Sequence, residues 1–360
     1  MIAIIAIFLA VTAPRAVTLV PMNDPIVGND PKALSVALNS DAVRREQWWV
    51  DAKTPVGAGN PGYGWPGRIE PYEPSEDLKG LMADYPGLEA YWYHRESVPA
   101  YEPCVPQLKA GGQYDDSVPF LLYRPRKDPW YRFWRPSEVP LVIYMPGCGE
   151  QGKDLALQFR QVACLKKVTS EAFQNEHPCW LLIPMPPIRA NYNIPFGYPA
   201  EPRAPLITLF NDLVLKLVDE MPGTNSANAA KAPRIDRSRL YLTGLGSGAT
   251  LAAVMAFDHP GRYAAVMPIW SLPDVPPAVC PEAPGNWWYA WEEGVYGRAK
   301  SVRDRLESFA ADVRMWGGEF EIHTFPKRSP GWWWDAAWES DELWDWCFDK
   351  ESEKEVERDR

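Results

Sequence analysis

Short apolar runs alternate with segments of helical periodicity through the last two thirds of the chain. Unbroken hydrophobicity, as in "LVIYM" (residues 141–145) and "CWLLIP" (179–184), predicts strands that are covered on both faces. Apolar positions at helical spacing predict helices over residues 154–173 and 204–223, the second of which ends in Pro-Gly. This order of elements predicts the α/β class, with a mostly parallel central sheet and helices on both faces.

Two stretches outside this pattern set the expected domain organisation. Residues 17–112 are rich in Pro, Gly and aromatic residues that break helices and strands, which predicts an N-terminal arm or small subdomain wrapping the main domain. A short helix is expected within it at "EDLKGLMADY" (76–85). The main domain is predicted over residues 113–350, followed by a charged tail over residues 351–360.

The N-terminal residues 1–16, "MIAIIAIFLAVTAPRA", predict export. An apolar run of about a dozen residues is shorter than the roughly 20 that cross a bilayer and is typical of a signal peptide. We expect a secreted or periplasmic protein with no membrane span in the mature chain. Because no Lys or Arg precedes the run, an N-terminal anchor and a mis-assigned start are the alternatives.

Cysteine content, charge and aromatic content limit which cofactors, partners and ligands the sequence predicts. The six cysteines are compatible with disulfides and include no CxxC pair, so neither a zinc site nor another cofactor is predicted. The formal charge of -10, without any Lys/Arg-rich run, argues against a nucleic-acid partner. The 18 tryptophans cluster, as in "GWWWDAAW" (331–338), which indicates an aromatic core or, alternatively, a flat surface for sugar rings.

The stretch "LTGLGSGAT" (242–250) carries the main functional question. An α/β-hydrolase presents its nucleophile in a G-x-S-x-G elbow between a strand and a helix. Here Gly244 and Gly248 fill the two outer small positions, which puts Gly246 at the nucleophile position and Ser247 one place later.

This motif and its surroundings resemble a group of secreted α/β-hydrolases: the polyhydroxybutyrate depolymerases, the feruloyl and acetyl-xylan esterases, and the predicted peptidases. The resemblance covers residues 118–348. It is most specific over residues 235–270, where I-D-x-x-R-[LIV]-Y-[LV]-T-G leads into the elbow and "PGRYAAVMPIW" follows. The resemblance implies an α/β-hydrolase fold and places the family's catalytic residues at defined positions of this chain.

The nucleophile and base positions do not carry the family's residues. Glycine at position 246 offers no oxygen, and a frame shifted onto Ser247 would place Leu245 where a small residue is needed. Ser247 is therefore interpreted as a helix-start residue, with a catalytic role as the alternative. The base position falls near Pro330, which cannot transfer protons, and His323 is interpreted as a strand side chain.

The acid and oxyanion positions are altered as well. The acid position lies near Glu293, and both Glu292 and Glu293 are interpreted as solvated loop carboxylates rather than orienting acids. At the oxyanion loop the sequence has Gly147 and Cys148. Cys148 is interpreted as a buried or disulfide cysteine, because no His or Lys is placed near it to lower its thiol pKa.

Three adjacent indoles follow the lost base position and are candidate ligand-binding residues: Trp332, Trp333 and Trp334. The sequence thus predicts a secreted homologue of serine esterases that has lost catalysis and binds a ligand, a carbohydrate or an acyl ester, in the former active site. Two alternatives stay open. One is an active esterase that uses Ser247 with a non-standard acid and base, and the other is a cell-surface structural or partner-binding protein whose interface is the N-terminal arm.

Overall fold

The computed structural model describes residues 67–95, 117–125, 138–147, 155–159, 162–185, 204–220, 233–270, 285–293, 300–326 and 333–352. The strands in these ranges are β1 (Gly67–Pro71), β2 (Leu88–Arg95), β3 (Ser117–Tyr123), β4 (Glu138–Met145), β5 (Trp180–Pro184), β6 (Arg234–Leu245), β7 (Ala265–Ile269), β8 (Asn286–Glu292) and β9 (Glu319–Phe325). The helices are α1 (Glu76–Met82), α2 (Leu155–Phe159), α3 (Leu165–Val168), α4 (Glu171–Glu176), α5 (Ala204–Asp219), α6 (Ser247–Asp258), α7 (Lys300–Met315), α8 (Trp333–Glu339) and α9 (Asp341–Phe348).

All the strands belong to one sheet, in the order β1-β2-β3-β5-β4-β6-β7-β8-β9. The pairings from β5 through β9 are parallel, whereas β1, β2 and β3 are antiparallel to their neighbours. The mostly parallel sheet predicted from the sequence is therefore confirmed. The parallel strands end at one edge of the sheet, called here the carboxyl edge, where such sheets carry their ligand sites.

Helices cover both faces of the sheet, as predicted. Helices α5, α6 and α7 pack with their apolar side chains on one face. The other face is covered by α1 to α4, α8 and α9. Because both faces are buried, β4 and β5 consist almost entirely of buried apolar residues, which is why their hydrophobicity is unbroken in the sequence.

Most of the described tryptophans belong to this core. Those with essentially no exposed surface are Trp180, Trp288, Trp291, Trp338 and Trp344. The interpretation of the clusters as an aromatic core is confirmed for these residues, while Trp316, after α7, is 47% exposed.

The N-terminal segment differs from the expected arm. The helix expected at 76–85 is present as α1, which begins with a cap in which Ser75 Oγ accepts a hydrogen bond from the Leu78 N–H. However, β1 and β2 on either side of α1 extend the central sheet through β3, so residues 67–95 form part of the main domain. The remainder of the arm, the signal peptide and residues 353–360 lie outside the described residues.

None of the helices bounded above combines the length and hydropathy needed to cross a membrane. Three of the cysteines, Cys164, Cys179 and Cys347, are buried free thiols and form no disulfide. Burial raises the pKa of Cys179 to about 12, which makes its thiol unreactive. The other cysteines lie outside the described ranges.

Candidate functional site

The connection from β6 to α6 forms an elbow at the carboxyl edge of the sheet. Gly246 stands between them with φ 58° and ψ -116°, in the left-handed half of the backbone map that glycine adopts without steric cost. Its N–H donates to the Ile269 carbonyl (2.9 Å), and its own carbonyl accepts from the Thr250 N–H (3.1 Å). These bonds hold the residue between the neighbouring strand β7 and the first turn of α6.

The glycines on either side of the elbow are required by close backbone packing. A Cβ at Gly244 would lie 2.6 Å from the Met145 carbonyl oxygen. One at Gly248 would lie 2.0 Å from the same oxygen and 2.6 Å from that of Pro146. Since Gly246 is the residue midway between these two constrained positions, the geometry places it at the nucleophile position.

The nucleophile position itself is sterically open. A Cβ built on Gly246 would meet no described atom within 4 Å. A serine side chain would therefore have room here, at the cost of the unfavourable backbone conformation. The position has kept the shape of a nucleophile elbow but carries no nucleophilic atom.

Ser247 begins α6 and is buried, with 8% of its surface exposed. Gly246 occupies the cap position before it, and no side chain caps this helix. If Ser247 were the nucleophile, the two outer positions of the motif would be Leu245 and Ala249. The glycines that make the close contact with β4 are instead Gly244 and Gly248. The interpretation of Ser247 as a residue of the first helical turn is confirmed, and a catalytic role for it stays a prediction.

The base position near Pro330 lies outside the described residues, but all four histidines of the chain lie within them: His94, His177, His259 and His323. His94 belongs to β2, four strands from β6, or about 19 Å at the usual strand spacing. His177 precedes β5 at the amino edge of the sheet. His259 follows the far end of α6, about 18 Å along the helix from the elbow.

His323 lies within β9, as the sequence predicted, three strands and about 14 Å from β6. Its Nε2 is 2.7 Å from Glu321 Oε2, and its ring stacks on Trp288 with centroids 4.2 Å apart. These contacts hold the imidazole against β8 and β9. No histidine of the chain thus lies beside the elbow, where a serine hydrolase needs its base.

The acid position differs from the sequence interpretation. Glu293 is exposed, as expected of a solvated carboxylate. Glu292, however, is the last residue of β8 and only 6% exposed, so its interpretation as a solvated loop residue is wrong. The reason is that β8 continues farther than expected and carries Glu292 into the packed end of the sheet. β8 is two strands from β6, about 10 Å at the usual spacing.

At the oxyanion position, Gly147 is buried after β4. The carbonyls of Met145 and Pro146, just before it, are those that exclude a Cβ at Gly248, so the loop and the elbow are in direct backbone contact. Cys148 lies outside the described residues.

Of the three clustered tryptophans, Trp334 is the one whose side chain the structure describes. Trp332 and the side chain of Trp333 lie outside the described part of the chain. Trp334, at the start of α8, is 8% exposed and stacks on Trp270, with ring centroids 5.6 Å apart and planes 16° from parallel.

Trp270 is a site residue that the sequence reasoning missed. It directly follows β7 and has φ 55°. Among the described residues other than glycine, it is the one with a positive φ. Its N–H donates to the Ala290 carbonyl (3.0 Å), which places it beside the end of β8. A signal was present, because an apolar run that suits a strand ends at this indole. The structure places that strand, β7, next to β6, which carries the elbow. Backbone strain of this kind is often found at functional sites.

A group of potential metal ligands lies away from this site. Glu176, His177 and Asp345 bring ligand atoms within 4.8 Å of one another near the amino edge of the sheet. His177 Nε2 is 3.1 Å from Asp345 Oδ1, so an ordinary histidine-carboxylate pair accounts for the arrangement.

The strand order and the elbow define the class of protein: the chain has the α/β-hydrolase fold, as its sequence predicted. No family model matches the chain, and no curated protein matches it. Among solved structures, it is similar to a thermostable esterase, at 23% sequence identity and a TM-score of 0.48 over 65% of this chain and 60% of that one. The chain thus spans less than two thirds of the length of that esterase.

Two other solved structures are similar over most of their own length. A siderophore hydrolase from Aspergillus nidulans has 10% identity and a TM-score of 0.46, over 77% of this chain and 97% of that one. A dienelactone hydrolase from Anabaena variabilis has 13% identity and a TM-score of 0.39, over 64% and 91%. The fold is defined by the strand order and the elbow, not by these likenesses.

Proposed function

We propose that the protein is an exported, non-catalytic relative of the polyhydroxybutyrate depolymerase and feruloyl esterase group that binds a ligand in the former active site. The observation that carries this proposal is the elbow. Gly246 has the backbone conformation of a nucleophile residue, between two glycines that the packing requires, yet it has no side chain. The turn has been kept while its chemistry is absent.

The positions of the histidines support loss of the mechanism rather than its relocation. A serine needs a base within hydrogen-bonding distance, either directly or through one water. The nearest strand that carries a histidine is β9, where His323 is held by Glu321 and Trp288. A nucleophile placed at Gly246 or Ser247 would therefore have no imidazole to activate it.

Binding is supported by the surfaces that converge at the carboxyl edge. The open position at Gly246 lies next to β7, and Trp270 at the end of β7 forms a stacked pair with Trp334. Trp334 is buried, so the partly exposed ring of Trp270 is the indole surface that can stack on a sugar ring or a phenolic group. A carbohydrate or an aromatic acyl ester is the ligand class that we propose from this arrangement.

Hydrolysis of p-nitrophenyl acetate by the wild type, Ser247→Ala and Gly246→Ser tests the loss of catalysis. We expect the same background rate from all three, because neither serine position has a base. Turnover by the wild type that Ser247→Ala abolishes would instead establish the alternative of an esterase that uses Ser247. A gain of turnover in Gly246→Ser would show that a base is in place after all.

Ligand-observed NMR tests the binding half of the proposal. Xylotetraose and ferulic acid represent the sugar and phenolic classes, and Trp270→Phe is the matched variant because it keeps an aromatic ring while reducing the partly exposed stacking surface. We expect saturation transfer to at least one probe and a weaker signal in the variant. Absence of transfer to both would count against a ligand site of this class.

A further inference from the structure

The strand β9 ends the sheet, and its outer side has no partner strand among the described residues. β9 is the last strand in the sheet order, and β8 is the one described strand that pairs with it. A strand in this position directs a row of backbone N–H and C=O groups away from the sheet, where a further strand can bind them. The outer side of β9 is therefore a candidate surface for pairing with another strand.

β9 lacks the features that keep edge strands from pairing. Natural edge strands carry lysine or proline, contain a bulge or are very short. β9 has seven residues, "EFEIHTF", without lysine or proline, and its register with β8 is continuous from Glu319 to Phe325. The opposite edge strand, β1, has five residues, follows Pro66 and ends at Pro71. Of these two edge strands, β9 is the one suited to pairing.

The sequence of β9 is complementary to itself in one antiparallel register. When two copies are paired about Ile322, Glu321 of each copy lies opposite His323 of the other. A carboxylate opposite an imidazole is a favourable cross-strand pair, whereas like charges directly opposite each other destabilise the pairing. Sliding the strands by two residues removes both favourable pairs and, in one direction, sets Glu321 opposite Glu321. The polar positions of β9 thus favour the register about Ile322.

The apolar positions of β9 fit the same register. Phe320 lies opposite Thr324, and Ile322 lies opposite Ile322, so aromatic and β-branched side chains meet across the two strands. Thr324 is exposed and Ile322 is half-buried, so pairing removes surface of both residues from water.

Exposed residues lie along this side of the sheet. The side chains of His323 and Glu321 are 22% and 41% exposed, and Nε2 and Oε2 of the two residues are 2.7 Å apart within one chain. Met315 and Trp316, at the end of α7 and just before β9, are 66% and 47% exposed. Methionine and aromatic residues are enriched in protein interfaces. Both polar and apolar groups are therefore accessible to a partner at this edge.

A second copy of the chain is the partner that these features fit. The formal charge of -10 opposes contact between copies in general, so association requires a place where opposite groups meet. The register about Ile322 provides such a place twice, because a two-fold axis repeats every contact.

We propose that the protein forms a dimer in which β9 pairs with β9 of a second copy, antiparallel about Ile322, so that one continuous sheet runs through both copies. The inference goes beyond the proposed function and does not depend on it, because β9 lies three strands from β6 and its elbow.

Sedimentation equilibrium of the purified protein tests the dimer at about 1 to 100 µM and about 0.15 M salt, which screens distant surface charges. We expect the mass of two chains at the upper end of this range. Thr324→Lys adds an edge lysine opposite Phe320 and should weaken association at least about 10-fold. Thr324→Val is the matched control, because it keeps a β-branched side chain, and it should dimerise like the wild type.

A charge exchange tests the register. His323→Glu places a carboxylate opposite Glu321 in both copies and should weaken association at least about 10-fold. Adding Glu321→His to this variant restores the opposite pairs and should recover most of the loss. Both variants lack the ring of His323 that stacks on Trp288, so the difference between them reports position 321 alone.

Three results would contradict the inference. A wild-type protein that stays monomeric up to about 100 µM would overturn it, and this result depends on the folding of no variant. A dimer that Thr324→Lys leaves as tight as the wild type would place the interface elsewhere. If the double variant associates no better than His323→Glu, the register about Ile322 is wrong. Thermal unfolding of each variant distinguishes a lost dimer from a lost fold.

Discussion

Three glycines of one short motif have different physical roles at the residue scale. Gly244 and Gly248 are fixed by contact with the backbone of β4, where no side chain fits. Gly246 faces open space and is special only in its left-handed backbone. The sequence could predict which of the three is the nucleophile position, because the spacing of the motif is specific. It could not predict that the space around Gly246 is open.

Alanine substitutions should separate these roles. Gly248→Ala puts a Cβ 2.0 Å from a backbone oxygen that cannot move freely, and we expect a loss of about 3 kcal/mol or more in the free energy of unfolding. A Cβ at Gly246 meets no atom of the described residues within 4 Å, so Gly246→Ala should cost only the left-handed backbone conformation, about 1–2 kcal/mol. Urea denaturation of both variants measures the difference. Equal losses would contradict the assignment of the two positions.

Glu292 and Trp270 show why residue-level prediction was incomplete. The sequence put the acid position near Glu293, but the burial of Glu292 depends on how far β8 continues, and two neighbouring glutamates give no sign of which one is inside. Trp270 was passed over because an indole after a buried strand is usually a core residue. Its positive φ and its stacking on Trp334, 64 positions later in the chain, depend on tertiary packing.

At the scale of the element, α6 links the elbow at its start to a half-buried histidine at its end. His259 follows the helix, and its N–H donates to the Met255 carbonyl (3.3 Å). Burial, together with the charge of Arg262, lowers the pKa of His259 to about 3. The neutral imidazole is therefore the form that the folded protein accommodates.

The direction in which the folding stability changes with pH follows from the difference between the pKa of His259 in the folded and the unfolded state. The pKa of His259 is near 6.5 in the unfolded chain and about 3 in the folded protein, so between these values the unfolded state binds more protons. The contribution of His259 to stability is fully present above about pH 6.5 and falls as the pH is lowered, by up to about 1.4 kcal/mol per pH unit. Urea denaturation at several pH values should show a shallower acid loss for His259→Gln than for the wild type. Identical slopes would contradict the depressed pKa.

Strands and helices were predicted correctly where their hydrophobic pattern was strong. β4, β5, α5 and the β6-turn-α6 unit lie where unbroken apolar runs or helical spacing predicted them. β1 and β2 were missed because the stretch around them is rich in Pro and Gly and because β1 is short and largely exposed. Their identity as strands depends on pairing with β3, which sequence periodicity does not report.

At the scale of the whole molecule, the segment after α9 joins the C-terminal helix to the middle of the sheet. Tyr241 OH donates to the Lys350 carbonyl (3.0 Å), and the Ser352 N–H donates to the Ser238 carbonyl (2.8 Å). Lys350 also pairs with Glu319 of β9 at 2.7 Å. Residues 349–352 thus connect β6 with the edge strand.

Truncation tests this connection. A chain ending at Phe348 loses these bonds and leaves the Tyr241 hydroxyl without its acceptor, which should lower the free energy of unfolding by about 2–3 kcal/mol. A chain ending at Ser352 keeps all of them and is the matched control. Thermal unfolding should show a lower Tm for the shorter chain and a Tm near the wild-type value for the control. A shorter chain as stable as the control would contradict a structural role for residues 349–352.

The complete fold also combines observations that no single sequence motif provides. A nucleophile position without a side chain and four histidines that lie elsewhere are separate observations from different elements of the structure. Together they support the proposal of a hydrolase scaffold that has kept its sheet and elbow without its serine chemistry. The sequence predicted this loss, and the structure adds that the backbone of the elbow is intact.

Intact-mass measurement after incubation with a fluorophosphonate probe tests this central claim most directly. Such probes form a stable adduct only with a serine that is activated as a nucleophile. We predict that neither the wild-type protein nor the Ser247→Ala variant gains an adduct. A single adduct on the wild type that maps to Ser247 and disappears in Ser247→Ala would contradict the account and establish an active serine hydrolase.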